Sequence, residues 1–322
     1  MEPKLTRRRA LAVLAGMGLA AHGVRSAPAR VLEWRGTALG ADATLIFANA
    51  DRVEAETALA ACLREIERLE GIFSLPLDAS EISRLNAHGS LDQPSFDMQA
   101  LLTRSIEMHR ATEGLFDPTV QAIWKFHLDQ VAMGTDVSAT PPQDVLDKVG
   151  LEKIAVMADG VRLRQGMSIS LNGIAQGYIT DRVADILHGR GWKDVLIDLG
   201  ETRALEGRAF DVMIGDSERR IALSNGALAT SSSAPLVAGA SGSLSHLFHP
   251  RSGTAASQEW SSVSVAHTSA SIADALSTAL MLCSGDDTRQ ARRIVSRFPA
   301  ARAWIARPGQ DEILIGDGRA IR

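Results

Sequence analysis

Lys153-Ile154-Ala155-Val156-Met157-Ala158-Asp159-Gly160-Val161-Arg162-Leu163, continuing through Gly166 to Ser168-Ile169-Ser170-Leu171, is the stretch from which the fold class is read. Three short apolar runs are punctuated by Asp159-Gly160 and by Gly166. These residues accept the backbone conformations of tight hairpin turns. Strands joined by so few residues can only pair antiparallel, because a parallel pair needs a crossover of about a dozen residues or more. Working outward, the pattern predicts a helix from about Ala175 to His188 and a strand at 194–199. Further strands are expected at 210–215, 219–223, 244–248 and 260–267. Helices at about 272–283 and 287–297 and a hairpin at 302–315 then close the chain. Upstream, residues 31–48 alternate as strands, with Gly36 and Gly40 as turns. Apolar residues at 59, 63, 66 and 69 give helical spacing within 51–70, and a second helix is expected over 95–112. Residues 127–142, ending in Thr140-Pro141-Pro142, read as a loop into a short helix at 143–148. Helices in runs beside antiparallel strand pairs mean an α+β fold rather than a doubly wound α/β one. No fixed-period repeat is present. Ser231–Ser245, rich in Ser, Gly and Ala, is expected to be a mobile loop.

The first 29 of the 322 residues read as a targeting segment rather than as part of the fold. Thr6-Arg7-Arg8-Arg9-Ala10-Leu11 is a twin-arginine pattern. A small-residue apolar run follows, and then Ser26-Ala27-Pro28-Ala29, where cleavage could fall after Ser26, Ala27 or Ala29. The apolar run, Ala10 to Ala21, is short of the roughly 20 residues that span a bilayer. The expectation is a periplasmic protein with a single domain over residues 30–322. Removing residues 1–29 takes away five basic residues and one acid, so the formal charge moves from −4 to −8. That balance, with aromatics at only 4%, argues against a nucleic-acid partner. At 45% hydrophobic and 22% charged, the chain is neither disordered nor fibrous. Cys62 and Cys283 both fall among apolar neighbours in expected helices, so two separate buried thiols are expected rather than a disulfide or a metal site.

Chemistry is carried by several motifs, each open to a plain structural reading. In Ser271-Ile272-Ala273-Asp274-Ala275-Leu276-Ser277-Thr278, Asp274 and Thr278 stand four apart and share a helical face. A carboxylate, a hydroxyl and a nearby carbonyl form part of an all-oxygen shell of the kind that holds Mg²⁺ with phosphate and water. The same letters also spell an acidic capping box. Leu171-Asn172-Gly173-Ile174-Ala175-Gln176-Gly177-Tyr178 places two glycines where a strand hands over to a helix, a place where backbone can approach a phosphate. It is also an ordinary strand-to-helix turn, and no Walker or GxGxxG pattern occurs. His246 and His249 are three apart, which in a strand puts them on opposite faces and makes a poor zinc pair. Thr230-Ser231-Ser232-Ser233 lacks a nucleophile elbow and reads as a polar loop. Leu115-Phe116-Asp117-Pro118 reads as a helix start, with Asp117 as cap and Pro118 at the first turn.

Taken in order, these motifs resemble the ApbE family. Phe73-Ser74 through Ser80-Glu81-Ile82-Ser83-Arg84-Leu85-Asn86, then Gly114-Leu115-Phe116-Asp117-Pro118-Thr119-Val120 ending at Trp124, resemble its first half. Asn172–Tyr178 with Asp181, and Asp198-Leu199-Gly200-Glu201, are similar to its central motifs. His246-Leu247-Phe248-His249-Pro250-Arg251-Ser252-Gly253 and Ala273–Ala279 are similar to its last two, and the likeness spans about residues 31–316. The resemblance implies a T-fold-like α+β architecture and a Mg²⁺-dependent FAD:protein FMN transferase that links FMN to a partner threonine and releases AMP. It implies Mg²⁺ ligation by Asp274, Thr278 and the carbonyl of Gly173. It also implies FAD contacts from Leu115, Phe116, Asp117, Ser170, Gln176, Leu247 and Phe248. His246 is the candidate proton acceptor or flavin-phosphate contact. The implied acceptor is a threonine of a membrane-anchored respiratory flavoprotein. The chain departs from the pattern at Pro76, where an aromatic is usual, and at His249 and Ser252, where Asp and Thr are usual. It also has a single glycine before Glu201, and Ala38-Leu39-Gly40-Ala41 replaces Thr-Met-Gly-Thr. Two other functions fit the same residues: an FAD pyrophosphatase, and an exported flavin-binding protein without catalysis.

Overall fold

Why the chain forms one large antiparallel sheet is visible in its first turn. The computed structural model describes residues 31–133, 140–215, 219–233, 237–239, 242–283 and 288–317. Strands β1 (Val31–Ala38) and β2 (Ala41–Ala48) are joined by Leu39 and Gly40, both at positive φ, the geometry that matches strand twist. Gly36, expected as a turn, instead lies inside β1 opposite Ala43. Helices α1 (Arg52–Phe73) and α2 (Glu81–His88) follow, capped by Asp51 and Ser80, and then β3 (Ser90–Asp92) and α3 (Phe96–Ala111). A 3₁₀ turn at Pro118–Val120 leads into α4 (Gln121–Ala132). The loop expected from residue 127 therefore begins later, because helical hydrogen bonding continues to Met133, and 134–139 lie outside the described residues. After α5 (Gln143–Leu146), the hairpin β4 (Ala155–Met157) and β5 (Gly160–Arg162) forms as expected and pairs with β3.

Ser168–Leu171, expected as a strand, has no strand partner. The Asn86 side-chain amide takes that place, accepting from the Ile169 N–H and donating to its carbonyl, both at 2.8 Å. Next come α6 (Asn172–Gly189), β6 (Val195–Asp198), β7 (Thr202–Ala204), β8 (Phe210–Met213), β9 (Arg220–Leu223) and β10 (Gly226–Ser232). Of the stretch expected to be a mobile loop, Ser231 and Ser232 belong to β10. β11 (Val237–Gly239) pairs with β12 (Gly242–Leu244), while 234–236 and 240–241 lie outside the described residues. The strand expected at 244–248 ends at Leu244. Beyond it, the Leu247 N–H donates to Ser245 Oγ in a local turn, and only Phe248 bridges to Ala255. β13 (Ser262–His267), α7 (Ala270–Leu280), α8 (Arg289–Val295), β14 (Arg302–Ala306) and β15 (Ile313–Ile315) complete the fold. The segment 1–29, with its twin-arginine pattern, lies outside the described residues.

The main sheet runs β1-β2-β6-β7-β10-β13-β14-β15, antiparallel throughout, and so realises the α+β class. Period-two alternation splits its strands between two cores. Leu45, Phe47, Ile197, Ala229, Val263 and Val265 belong to the core shared with α1, α6 and α7. Ile46, Leu196, Leu228, Ala266 and Trp304 belong to a smaller one shared with Phe210 and Val212 of the β8–β9 hairpin. α1 buries Leu59, Cys62, Ile66, Leu69 and Phe73, each large side chain contributing on the order of 1.5–3 kcal/mol. Cys62 and Cys283 are both buried, unpaired thiols, as expected. Among the described residues, no helix is long and apolar enough to cross a membrane.

α7 sits at the centre of this arrangement, buried on nearly every side, with α6 crossing it. Gly177 makes the crossing possible. A Cβ there would stand 2.4 Å from the Ala270 carbonyl oxygen and 2.6 Å from its carbon. That contact brings the start of α6 against the face of α7 that carries Asp274 and Thr278.

Candidate active site

Asp274 is fully enclosed by protein, and its one hydrogen-bonded oxygen, Oδ2, accepts from the Gly177 N–H at 3.1 Å. Burial pushes its carboxyl up to about 7. Thr278 lies one turn along α7. A Cβ at Gly173 would come within 3.0 Å of the Thr278 hydroxyl, so this glycine holds α6 against it. Gly173 itself departs from helical geometry (φ −83°, ψ 17°), a kink that loosens the carbonyls of the first turn from helical pairing. The carboxylate, hydroxyl and backbone segment singled out in the sequence thus meet at one place.

They line a cavity of about 350 Å³. Ser170 and Gln176 reach it from the start of α6, and Leu115, Phe116 and Asp117 from the loop before α4. Leu247 and Phe248 line it from the turn after β12, with His246 beside them. Every residue predicted for the site is therefore brought to one cavity. Asp117 contributes less freely than its motif suggests. Its Oδ1 accepts from the Thr119 N–H and hydroxyl and its Oδ2 from the Leu151 N–H, so its carboxylate mainly fixes the loop that presents Leu115 and Phe116. Burial pushes its carboxyl up from the usual range. His109 Nδ1 donates to the Phe116 carbonyl at 3.0 Å and steadies the same loop. His109, Asp117 and Glu152 bring ligand atoms within 4.8 Å of one another, but these existing hydrogen bonds already occupy the first two.

Sequence reasoning assigned no role to Glu201, Trp124 or the hydroxyls at the end of β10, all of which line the cavity. Glu201 is buried with Oε2 unpartnered. Burial, then the charges of Asp274 and Asp198, hold its carboxyl well above the ordinary range. Gly200 precedes it at φ +96°, where a Cβ would collide with the Gln176 amide, so this glycine is what lets the turn close over Gln176. Trp124 and Phe248 form an aromatic wall, centroids 6.1 Å apart, with His127 stacked on Phe248 at 4.7 Å. The end of β10 adds Thr230, Ser231 and Ser232. The chain's departures from the motif pattern at Pro76, His249 and Ser252 do not line the cavity. Pro76 is exposed, and His249 Nδ1 accepts from the Arg251 N–H. The described lining holds three carboxylates, Asp117, Glu201 and Asp274, and neither a lysine nor an arginine.

The donor set fits a hard divalent cation. Two carboxylates, a hydroxyl and backbone carbonyls are oxygen ligands, and an unpartnered buried carboxylate oxygen is costly unless something positive faces it.

Comparison with known proteins agrees with this geometry. The chain is 26% identical over 234 residues to an FAD:protein FMN transferase of Haemophilus influenzae, a match covering 64% of this chain and 67% of that protein. The structure is similar to the flavin transferase ApbE from Vibrio cholerae (TM-score 0.72, 20% identity, 92% of this chain and 100% of that one). It is also similar to the ApbE protein of Thermotoga maritima (TM-score 0.75, 23% identity, 89% and 97%). The ApbE family profile matches residues 39–301, and the chain belongs to that family.

Proposed function

We propose that this protein is an FAD:protein FMN transferase that binds FAD in the described cavity and hands FMN to a threonine hydroxyl of a partner protein. The reading is supported by the activity named for its Haemophilus relative and, above all, by one observation: a cavity whose described lining has an aromatic wall and three carboxylates but neither a lysine nor an arginine. A diphosphate entering such a cavity finds no lysine or arginine to offset its charge, a task left to a divalent cation that comes with it. Asp274, Thr278 and the Gly173 carbonyl would hold that cation, which we take to be Mg²⁺. When bound, it supplies charge neutralisation on the diphosphate and polarises the phosphoryl oxygen.

The protein's own residues would do the rest. Trp124, Phe116 and Phe248 offer ring faces to the flavin, while Gln176 and Ser170 offer polar contacts. The threonine oxygen attacks the FMN-side phosphorus, the bond from that phosphorus to the AMP oxygen breaks, and AMP leaves with the bridging oxygen. His246, which lines the cavity, would accept the threonine proton. We further propose export by the twin-arginine route, on the strength of Arg7-Arg8 before a short apolar run, and a membrane-anchored respiratory flavoprotein as acceptor. Incubation of the purified protein with FAD, Mg²⁺ and candidate acceptors, followed by in-gel flavin fluorescence, tests the reading. A fluorescent acceptor band that disappears with EDTA is expected. Free FMN formed at the same rate with and without acceptor would favour the pyrophosphatase instead.

A further inference from the structure

The hydroxyls at the end of β10 form a chain whose proton directions are fixed by its far end. Ser277 Oγ donates to the Asp274 carbonyl at 2.9 Å, which uses its only proton. In the 2.8 Å contact between Ser231 and Ser277, Ser231 must then be the donor. That spends the Ser231 proton, so in the 3.4 Å contact between Ser231 and Thr278 the donor is Thr278. Thr278 thereby directs its proton to Ser231 and keeps its lone pairs for a ligand. Ser231 is held for this task by β10, where it stands opposite Val263 in the β13 register, on the same strand face as Ala229.

We propose that Ser231 is a positioning residue: it accepts the Thr278 proton and so presents the Thr278 oxygen, lone pairs outward, to the divalent cation of the transferase. The proposal rests on the cation reading above. A threonine that ligates a cation must place its proton somewhere, and without Ser231 the hydroxyl is free to rotate or to turn its proton toward the ligand. Partners that orient a metal ligand in this way typically matter about tenfold or more in metal affinity.

The test is Mn²⁺ binding followed by electron paramagnetic resonance, with ADP supplying a diphosphate that cannot transfer flavin. Ser231→Ala is expected to weaken Mn²⁺ binding about tenfold while the metal-free melting temperature falls by no more than a few degrees, from the lost bond to Ser277. Ser231→Thr, which keeps the hydroxyl, is expected to bind within about threefold of wild type. Asp274→Ala separates the two ideas. If it binds Mn²⁺ as well as wild type does, the cation site itself is wrong. If Asp274→Ala loses the metal but Ser231→Ala binds normally, the positioning role alone is overturned. Equal weakening by Ser231→Ala and Ser231→Thr would also overturn it, since the hydroxyl would then not be the cause.

Discussion

Gly177→Ala is the substitution whose consequences the packing fixes most tightly. The added methyl would stand 2.4 Å from the Ala270 oxygen, 2.6 Å from its carbon and 2.7 Å from the Ser271 Cα, all backbone atoms with no rotamer to yield. The first turn of α7 must retreat by about 1 Å to reach ordinary van der Waals contact. Overpacking of this kind costs about 1–3 kcal/mol. The same retreat stretches the 3.1 Å hydrogen bond from the Gly177 N–H to Asp274, an acceptor whose loss is worth about 1.5–3 kcal/mol. One movement causes both, so they do not add in full, and about 2–4 kcal/mol is the expected loss. For a chain of this size that lowers Tm by about 3–7 °C in a thermal melt. Because Asp274 and Thr278 ride on the displaced helix, transfer should fall about 100-fold at a temperature where the variant is still folded. A variant that melts within about 1 °C of wild type and transfers at the wild-type rate would refute the reasoning.

Asp274→Asn tests the buried carboxyl from the other side. Its folded-state value of about 7 lies above the ordinary 3.8, so the stability it allows is full below about pH 4 and is lost as pH rises through 7. The metal-free protein should therefore melt higher at pH 5 than at pH 8, and Asp274→Asn should narrow the gap. Glu201, also raised, should keep it from closing; an unchanged gap would count against Asp274 as a source. Trp124→Ala should weaken FAD binding about tenfold, read by fluorescence titration, if the wall formed with Phe248 receives a ring. Lys in place of both Arg7 and Arg8 should leave the precursor in the cytoplasm, whereas unchanged recovery in the periplasm would argue against the twin-arginine route.

How far the sequence could be read depended on whether side chains or backbone carried the signal. The hairpin at 155–162 was legible because apolar runs met at turn residues, and the pairing of Asp274 with Thr278 was legible because four-residue spacing fixes a helical face. β10 was not legible. Gly226-Ala227-Leu228-Ala229 is buried on both faces and Thr230-Ser231-Ser232 is uniformly polar, which leaves no polar alternation to mark a strand in the middle of the sheet. Its serines therefore read as loop, although Ser231 lies within 3.4 Å of Thr278. Ser168–Leu171 looked like a strand because it is a short run set off by Gly166, but its hydrogen bonds go to the Asn86 side chain, 83 residues away in sequence, and to the Pro118 carbonyl. Glu201 gave no sign of its isolation, since burial and the lack of a partner are tertiary properties.

The central claim is that FMN passes intact to a protein threonine. Intact-mass measurement of the acceptor after incubation with FAD and Mg²⁺, with AMP counted in the same mixture, tests it most directly. The account predicts a gain of the mass of FMN less one water, one AMP per modified acceptor, and no gain when the acceptor threonine is replaced by Val. AMP released together with free FMN, leaving the acceptor mass unchanged, would contradict it.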